Sequence, residues 1–188
     1  MVIVATPGGL PSWAQVRPKR LAHVERVAAL MERWAIDMKL PAPERARWLR
    51  VAWLHDALRD APLEELQQWA GDMSGPAGLL HGPASAARAE AEGESDRGIL
   101  DAVRYHSLGL AEWDMSGRAI YCADFLEPGR SFDRAGRAAL AARFPADPAG
   151  VLYEVARRRV AYSIDAGWKI PEPTYRFWNS LASSSFAE

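Results

Sequence analysis

The stretch "VAWLHDALRDAP", Val51 to Pro62, decides how this chain is read. It has the apolar spacing of a buried helix, yet His55 and Asp56 stand side by side within it. On a helical wheel at about 100° per residue, Arg47 and Arg50 mark an outer face and Ala52 lies nearly opposite. His55 and Asp56 fall on either side of Ala52, flanked by Trp48, Leu49, Val51 and Trp53. Both polar side chains therefore point inward. An unpaired polar group costs about 1–3 kcal/mol in such a place, and a bare carboxylate more. A metal ion or a hydrogen-bond network has to satisfy them.

The remaining histidines bear on that choice. His23 lies on the stripe Val27, Leu30, Trp34, while Glu25, Arg26, Glu32 and Arg33 occupy the other side. His106 follows Ile99 and Val103 on an apolar face. His81 stands in "LLHGP", before a proline at an expected helix start. Asp124 falls one turn after Ile120 near a helix end. A single histidine on an apolar face is usually a hydrogen-bonded core residue. Three inward histidines, an inward Asp beside one of them and a later Asp together form a donor set suited to iron, manganese or zinc. Helices that project ligands into a shared interior commonly build such sites.

Helical spacing continues through the chain, and no segment alternates as a half-buried strand does. Helices are expected at about 12–16, 19–38, 43–59, 62–71, 83–92, 96–107, 116–127, 133–143, 147–166 and 172–182. The breaks "LPAP", "SGPAG", "HGP", "LGL", "EPGR", "FPADPAG" and "KIPEP" each carry Pro or Gly, which interrupt helices. None is long enough for a domain linker. The expected organisation is an N-terminal segment 1–18, one domain over 19–182 and a frayed tail 183–188.

Composition narrows the classes. The chain has 188 residues, enough for one domain with a sizeable core. A net charge of −1 supplies no field for nucleic acid or anionic lipid. "RRR" at 157–159 spreads around a helix and reads as a solvated face. The single cysteine, Cys122, rules out an intramolecular disulfide and fits a reducing cytosol; it reads as a small core residue. The first residues lack the basic start and long apolar run of a signal peptide, and no run reaches the roughly 18 apolar residues of a membrane span. A cytoplasmic protein is expected, with neither nucleic acid nor membrane as partner.

The motifs, taken in order, resemble a known family. "HVERV" (23–27), "WLHDALRD" (53–60), "LLHGPASA" (79–86), "VRYHSLG" (103–109) and "IYCADFLEPGR" (120–130) are similar to the HD-domain phosphohydrolases. The likeness is closest to the YqeK-like branch, the symmetrical dinucleoside tetraphosphatases, and extends through "VLYEVARRRVAYSIDAGWKIPEPTYRFWNSL" (151–181). The resemblance implies an all-α HD-domain helical bundle with a metal site between its core helices. It implies metal ligands His23, His55, Asp56 and Asp124, with His81 and His106 near the phosphates or on a second metal. The implied reaction is water attack on diadenosine tetraphosphate to give two ADP, with iron as the family's preferred ion. Family members usually carry Lys three residues after the HD Asp, where this chain has Arg59, and Arg contacts phosphate with a different geometry.

The chemistry agrees with that set. A polyphosphate repels an attacking anion, so hydrolysis needs a nucleophile available at neutral pH and positive charge around the phosphoryl oxygens. One or two divalent ions supply both. Asp56 is the expected bridge between two ions and a catalytic group. Arg59 and Arg130 are candidate phosphate clamps; Asp60 is expected to orient Arg59 or to activate water. The helix expected to open at Pro83 would offer free N–H groups to an anion, with Ser85 beside it. Tyr105 and Tyr121 read as core, and Glu127 as a surface or helix-terminal group. The competing functions are an HD-type nucleotidase or nucleoside polyphosphate hydrolase with another substrate, and a nucleotide-binding regulator without turnover. A homodimer is compatible with the eight tryptophans.

Overall fold

A computed structural model describes residues 9–73 and 75–183. The signal-peptide reading of residues 1–8, Ser74 in the "SGPAG" break and the tail 184–188 lie outside the described residues. Among the described residues the elements are all helical: α1 (Pro18–Asp37), α2 (Ala42–Leu54), α3 (Leu63–Ala70), α4 (Ala77–Ala91), α5 (Arg97–Tyr105), α6 (Met115–Leu126), α7 (Arg134–Arg143), α8 (Pro148–Asp165) and α9 (Glu172–Ser183). None of them is long and apolar enough to cross a membrane.

Small residues put α6 at the centre. Gly117, Ala119, Cys122 and Ala123 are buried, which lets α1, α2, α5, α7 and α8 all pack on it. Aromatic residues fill the wider gaps. Trp34 stacks on Phe144 with ring centroids 4.0 Å apart and donates its indole N–H to the Ala141 carbonyl (2.8 Å). Phe177 meets Trp113 and Tyr121 edge to face, with those two rings tilted against each other, and so fixes α9 against α6. A buried tryptophan of this kind is worth about 3–5 kcal/mol against alanine. A smaller cluster of Leu58, Ala61, Leu66, Ala70, Leu80 and Ala84 seats α3 on α4.

Aspartates start four of the later helices, Asp133 capping α7 by accepting from the Gly136 N–H. Asp96 accepts from the Gly98 and Ile99 N–H groups, Asp114 from Ser116 and Gly117, and Asp147 from Gly150. Each satisfies N–H groups that lack a partner within the helix.

Three expected boundaries are corrected. No helix forms over 12–16. Residues 14–17 run instead as a strap along the HD turn, where the Gln15 N–H donates to the Ala57 carbonyl (2.7 Å) and the Asp60 N–H to the Gln15 carbonyl (3.2 Å). For the same reason α2 stops at Leu54 and not at 59. The strap takes two backbone groups of the turn, and the Ser85 hydroxyl takes a third, the Leu58 N–H (3.1 Å). Finally, α4 opens at Ala77 and runs through Pro83. Packing of the buried segment 80–86 between α3 and α5 outweighs the roughly 3 kcal/mol that an interior proline costs. Pro83 therefore opens no helix, and the anion site expected there does not exist.

Candidate metal centre

Five elements converge on one buried point. His23 comes from α1, His55 and Asp56 from the end of α2, His81 from α4, His106 from the end of α5, and Asp124 from α6. All six side chains are buried. Glycine at position 82 is a condition of this convergence. A Cβ there would lie 2.9 Å from the Arg104 carbonyl oxygen and 3.0 Å from that of Val103. Its absence lets α4 close on the C-terminal end of α5, which brings His81 Nε2 to 3.0 Å from His106 Nε2.

The same device holds three of the rings. His55 and His106 are each the residue at which a helix ends, and each turns its Nδ1 back to a carbonyl three residues earlier: Ala52 O at 2.7 Å and Val103 O at 2.8 Å. His81, inside α4, turns its Nδ1 to a carbonyl four residues earlier, Ala77 O at 3.2 Å. A carbonyl only accepts, so Nδ1 carries the proton in each ring. The Nε2 lone pairs are left facing the shared centre. His23 is held differently, by donation from Nδ1 to Glu127 Oε1 (3.1 Å).

Two ligand groups share one carboxylate. His23, His55 and Asp56 bring one ligand atom each within 4.8 Å of one another, and Asp56, His81 and His106 do the same. Asp56 Oδ2 lies 3.6 Å from the Nε2 of both His23 and His55; Oδ1 lies 3.0 Å from His81 Nε2 and 3.7 Å from His106 Nε2. Asp124 Oδ1 is 3.2 Å from His23 Nε2. The Nε2 atoms of His23 and His55 are buried without a hydrogen-bond partner. Lone pairs that converge on carboxylate oxygens require a proton or a cation between them. Histidines whose other nitrogen is already bonded are what metal sites use. The donor set therefore fits a divalent transition ion.

Electrostatics point the same way. Burial works to lower the His23 pKa, but contacts with the Asp124 and Glu127 carboxylates overcome it and raise it to about 9. In the metal-free chain a proton thus answers the demand for positive charge at this ring. Burial, aided by the neighbouring His81 and His55, pushes His106 down to about 3, and burial likewise lowers His55. Burial alone would raise the two aspartates. Facing imidazoles hold Asp56 well below the ordinary carboxylate range, and His23 and two arginines do the same for Asp124.

Guanidinium groups rim the centre. Arg20 Nη1 reaches Asp56 Oδ2 at 2.8 Å. Arg130 folds back to Asp124, donating to its carbonyl (3.0 Å) and to Oδ1 (2.8 Å). Arg159 lies over the Tyr121 ring and 3.6 Å from Asp124 Oδ2. Buried Arg137 donates to the carbonyls of Phe125, Glu127, Arg130 and Phe132 and so pins the loop after α6.

The expected residues His23, His55, Asp56, His81, His106 and Asp124 are thus placed together, with Arg130 beside them. Arg59 is half-buried on the turn that carries Asp56. Asp60 is placed otherwise than expected. Its carboxylate is taken by the Arg17 N–H (2.8 Å) and guanidinium (3.1 Å), so it ties down the strap and does not orient Arg59. Ser85 serves the HD turn. Two readings need correction. Glu127 is buried in contact with His23, and Arg159 of "RRR" faces the centre while Arg157 and Arg158 pair with Glu154. Arg20 was missed entirely. Its one available signal was its place one turn before His23.

The HD domain family model matches residues 20–136, and the chain belongs to that family. Two relatives are each described as a symmetrical bis(5'-nucleosyl)-tetraphosphatase. The one from Bacillus subtilis is 37% identical over 90 residues, covering 44% of this chain and 48% of the relative. The one from Staphylococcus aureus is 32% identical over 87 residues, covering 46% and 45%. The matched region spans about half the length of each. A crystal structure from Clostridium acetobutylicum, described as a predicted HD superfamily hydrolase involved in NAD metabolism, superposes with a TM-score of 0.74 at 21% identity, covering 90% of this chain and 92% of that one. It shares the fold.

Proposed function

We propose that this chain is a metal-dependent phosphohydrolase that cleaves diadenosine tetraphosphate symmetrically to two ADP. The observation that supports the hydrolase reading is the pair of ligand groups that share Asp56, with imidazole lone pairs aimed inward. The two tetraphosphatase relatives support this choice of substrate.

His23, His55, Asp56 and Asp124 would hold one ion and Asp56, His81 and His106 a second. Iron is the ion expected from the family; manganese and zinc suit the same donors. Bound there, a divalent ion supplies a water nucleophile at neutral pH and neutralises phosphoryl charge. The protein's own groups do the rest. Nδ1 hydrogen bonds keep each ring from turning. Arg20, Arg130 and Arg159 stand where guanidinium groups can meet phosphate oxygens, and Arg59 adds positive charge on the HD turn. Burial of the cluster excludes bulk water, which strengthens each of these interactions.

The test is product analysis with iron- or manganese-loaded protein. ADP as the sole nucleotide product is expected. ATP plus AMP would place the cut elsewhere along the phosphate chain. Faster turnover of mononucleotides or nucleoside triphosphates would overturn the substrate assignment in favour of a nucleotidase.

A further inference from the structure

We propose that Glu127 is a positioning residue for one half of the centre, the half that contains His23. This rests on the metal-centre reading above and goes beyond it. Three of the four rings are oriented by backbone carbonyls that their own helices supply. His23 lies in the second turn of α1, and its Nδ1 meets an acceptor from another element instead of a carbonyl of its own helix. Glu127, one residue past α6, provides it through Oε1.

The carboxylate is itself fixed on its other side. Oε2 receives the Arg26 Nε–H and the Gly129 N–H, both at 2.6 Å. Arg26 comes from α1, one turn after His23, so α1 and the loop after α6 are clamped to each other at the ligand. Gly129 makes room for this: a Cβ there would lie 2.3 Å from the Arg26 guanidinium. Arg137, from behind, holds the Glu127 carbonyl. "EPGR" thereby acquires a physical meaning. Glu127 aims His23, Gly129 admits Arg26, and Arg130 returns to Asp124.

A charged acceptor does more than a carbonyl. It fixes the tautomer with Nε2 free and raises the basicity of that nitrogen as a donor. Loss of such a partner typically costs about 10–100-fold in metal affinity. Because Glu127 touches only His23 among the ligands, the loss should fall on one ion.

The experiment uses manganese as the probe, with free ion read by electron paramagnetic resonance. Wild type, Glu127→Ala and Glu127→Gln are titrated alone and in a His81→Ala background that leaves only the His23 half. In that background Glu127→Ala should weaken manganese binding by about 10–100-fold. Glu127→Gln, which keeps an acceptor but loses the charge, should fall between. With His81 present, Glu127→Ala should retain the ion held by Asp56, His81 and His106. Circular dichroism checks the fold, and Glu127→Gln is read in the same way if the alanine variant does not fold. Affinity unchanged within twofold in the His81→Ala background overturns the proposal, as does equal loss of both ions by folded Glu127→Ala. Absence of manganese binding by wild type would overturn the metal-centre reading itself.

Discussion

Two polar clusters in this molecule look alike on a list of residues and behave in opposite ways. Around Arg47, cation and anions close on one another. Arg47 pairs with Asp96 through Nε (2.7 Å) and Nη2 (3.0 Å) and meets Asp114 at 2.6 Å, and both aspartates already cap helices. Its donors point at acceptors, and the cluster is complete as it stands. Around Asp56 the balance is left open. Imidazole lone pairs and carboxylate oxygens face one another across 3.0–3.7 Å, and two Nε2 atoms have no hydrogen-bond partner. The first cluster explains itself through helix packing. The second makes physical sense only with something positive inside it. The first cluster is also partly exposed while the second is buried, so the unmatched lone pairs of the second have no water to turn to.

The strongest way to break this comparison is Asp56→Ala. It removes the oxygen atoms shared by both ligand groups, so hydrolysis of diadenosine tetraphosphate should be abolished while circular dichroism stays native. Substantial activity in that variant would place the chemistry elsewhere.

A second test adds the cation. An ion at about 100 times its dissociation constant stabilises the folded state by about 2.7 kcal/mol, and in a chain of this size that raises Tm by about 5–10 °C. Chelation should reverse the gain. Metal-free protein should also show a pH signature. The His23 pKa is raised from 6.5 to about 9 in the fold. Its contribution to stability is therefore fully present below pH 6.5 and is lost as pH rises through about 9. Urea melts at pH 6 and pH 9.5 read this directly, and a bound ion should flatten the difference.

The smallest expected effect is at the closed cluster. Arg47→Ala leaves two helix-capping aspartates without their shared partner and should cost about 1–2 kcal/mol in urea unfolding. Manganese affinity should be unchanged. A large loss of metal binding on this substitution would mean that the two clusters are not independent.

Much of the site was legible in the sequence because apolar periodicity reports which way a side chain points. His23 follows the stripe of Val27, Leu30 and Trp34, and His55 and Asp56 straddle Ala52; all are buried as that spacing requires. Periodicity says nothing about non-local hydrogen bonds. The end of α2 at Leu54 depends on a strap from residues 14–17 and on Ser85 from α4. The passage of α4 through Pro83 depends on packing that a local rule about proline cannot see. Glu127 sits just past a helix end, where an acidic side chain ordinarily meets water, and only the approach of α1 turns it into a partner for His23. Arg159 was hidden by its neighbours: three consecutive arginines look like one surface feature, although a helix sends them in three directions.

The most direct test of the central claim is the metal content of protein purified anaerobically, compared between wild type and Asp56→Ala. Wild type should carry one to two equivalents of a transition metal, and the variant little or none. Metal-free wild-type protein that also fails to take up added iron or manganese, or undiminished metal in Asp56→Ala, would contradict the claim.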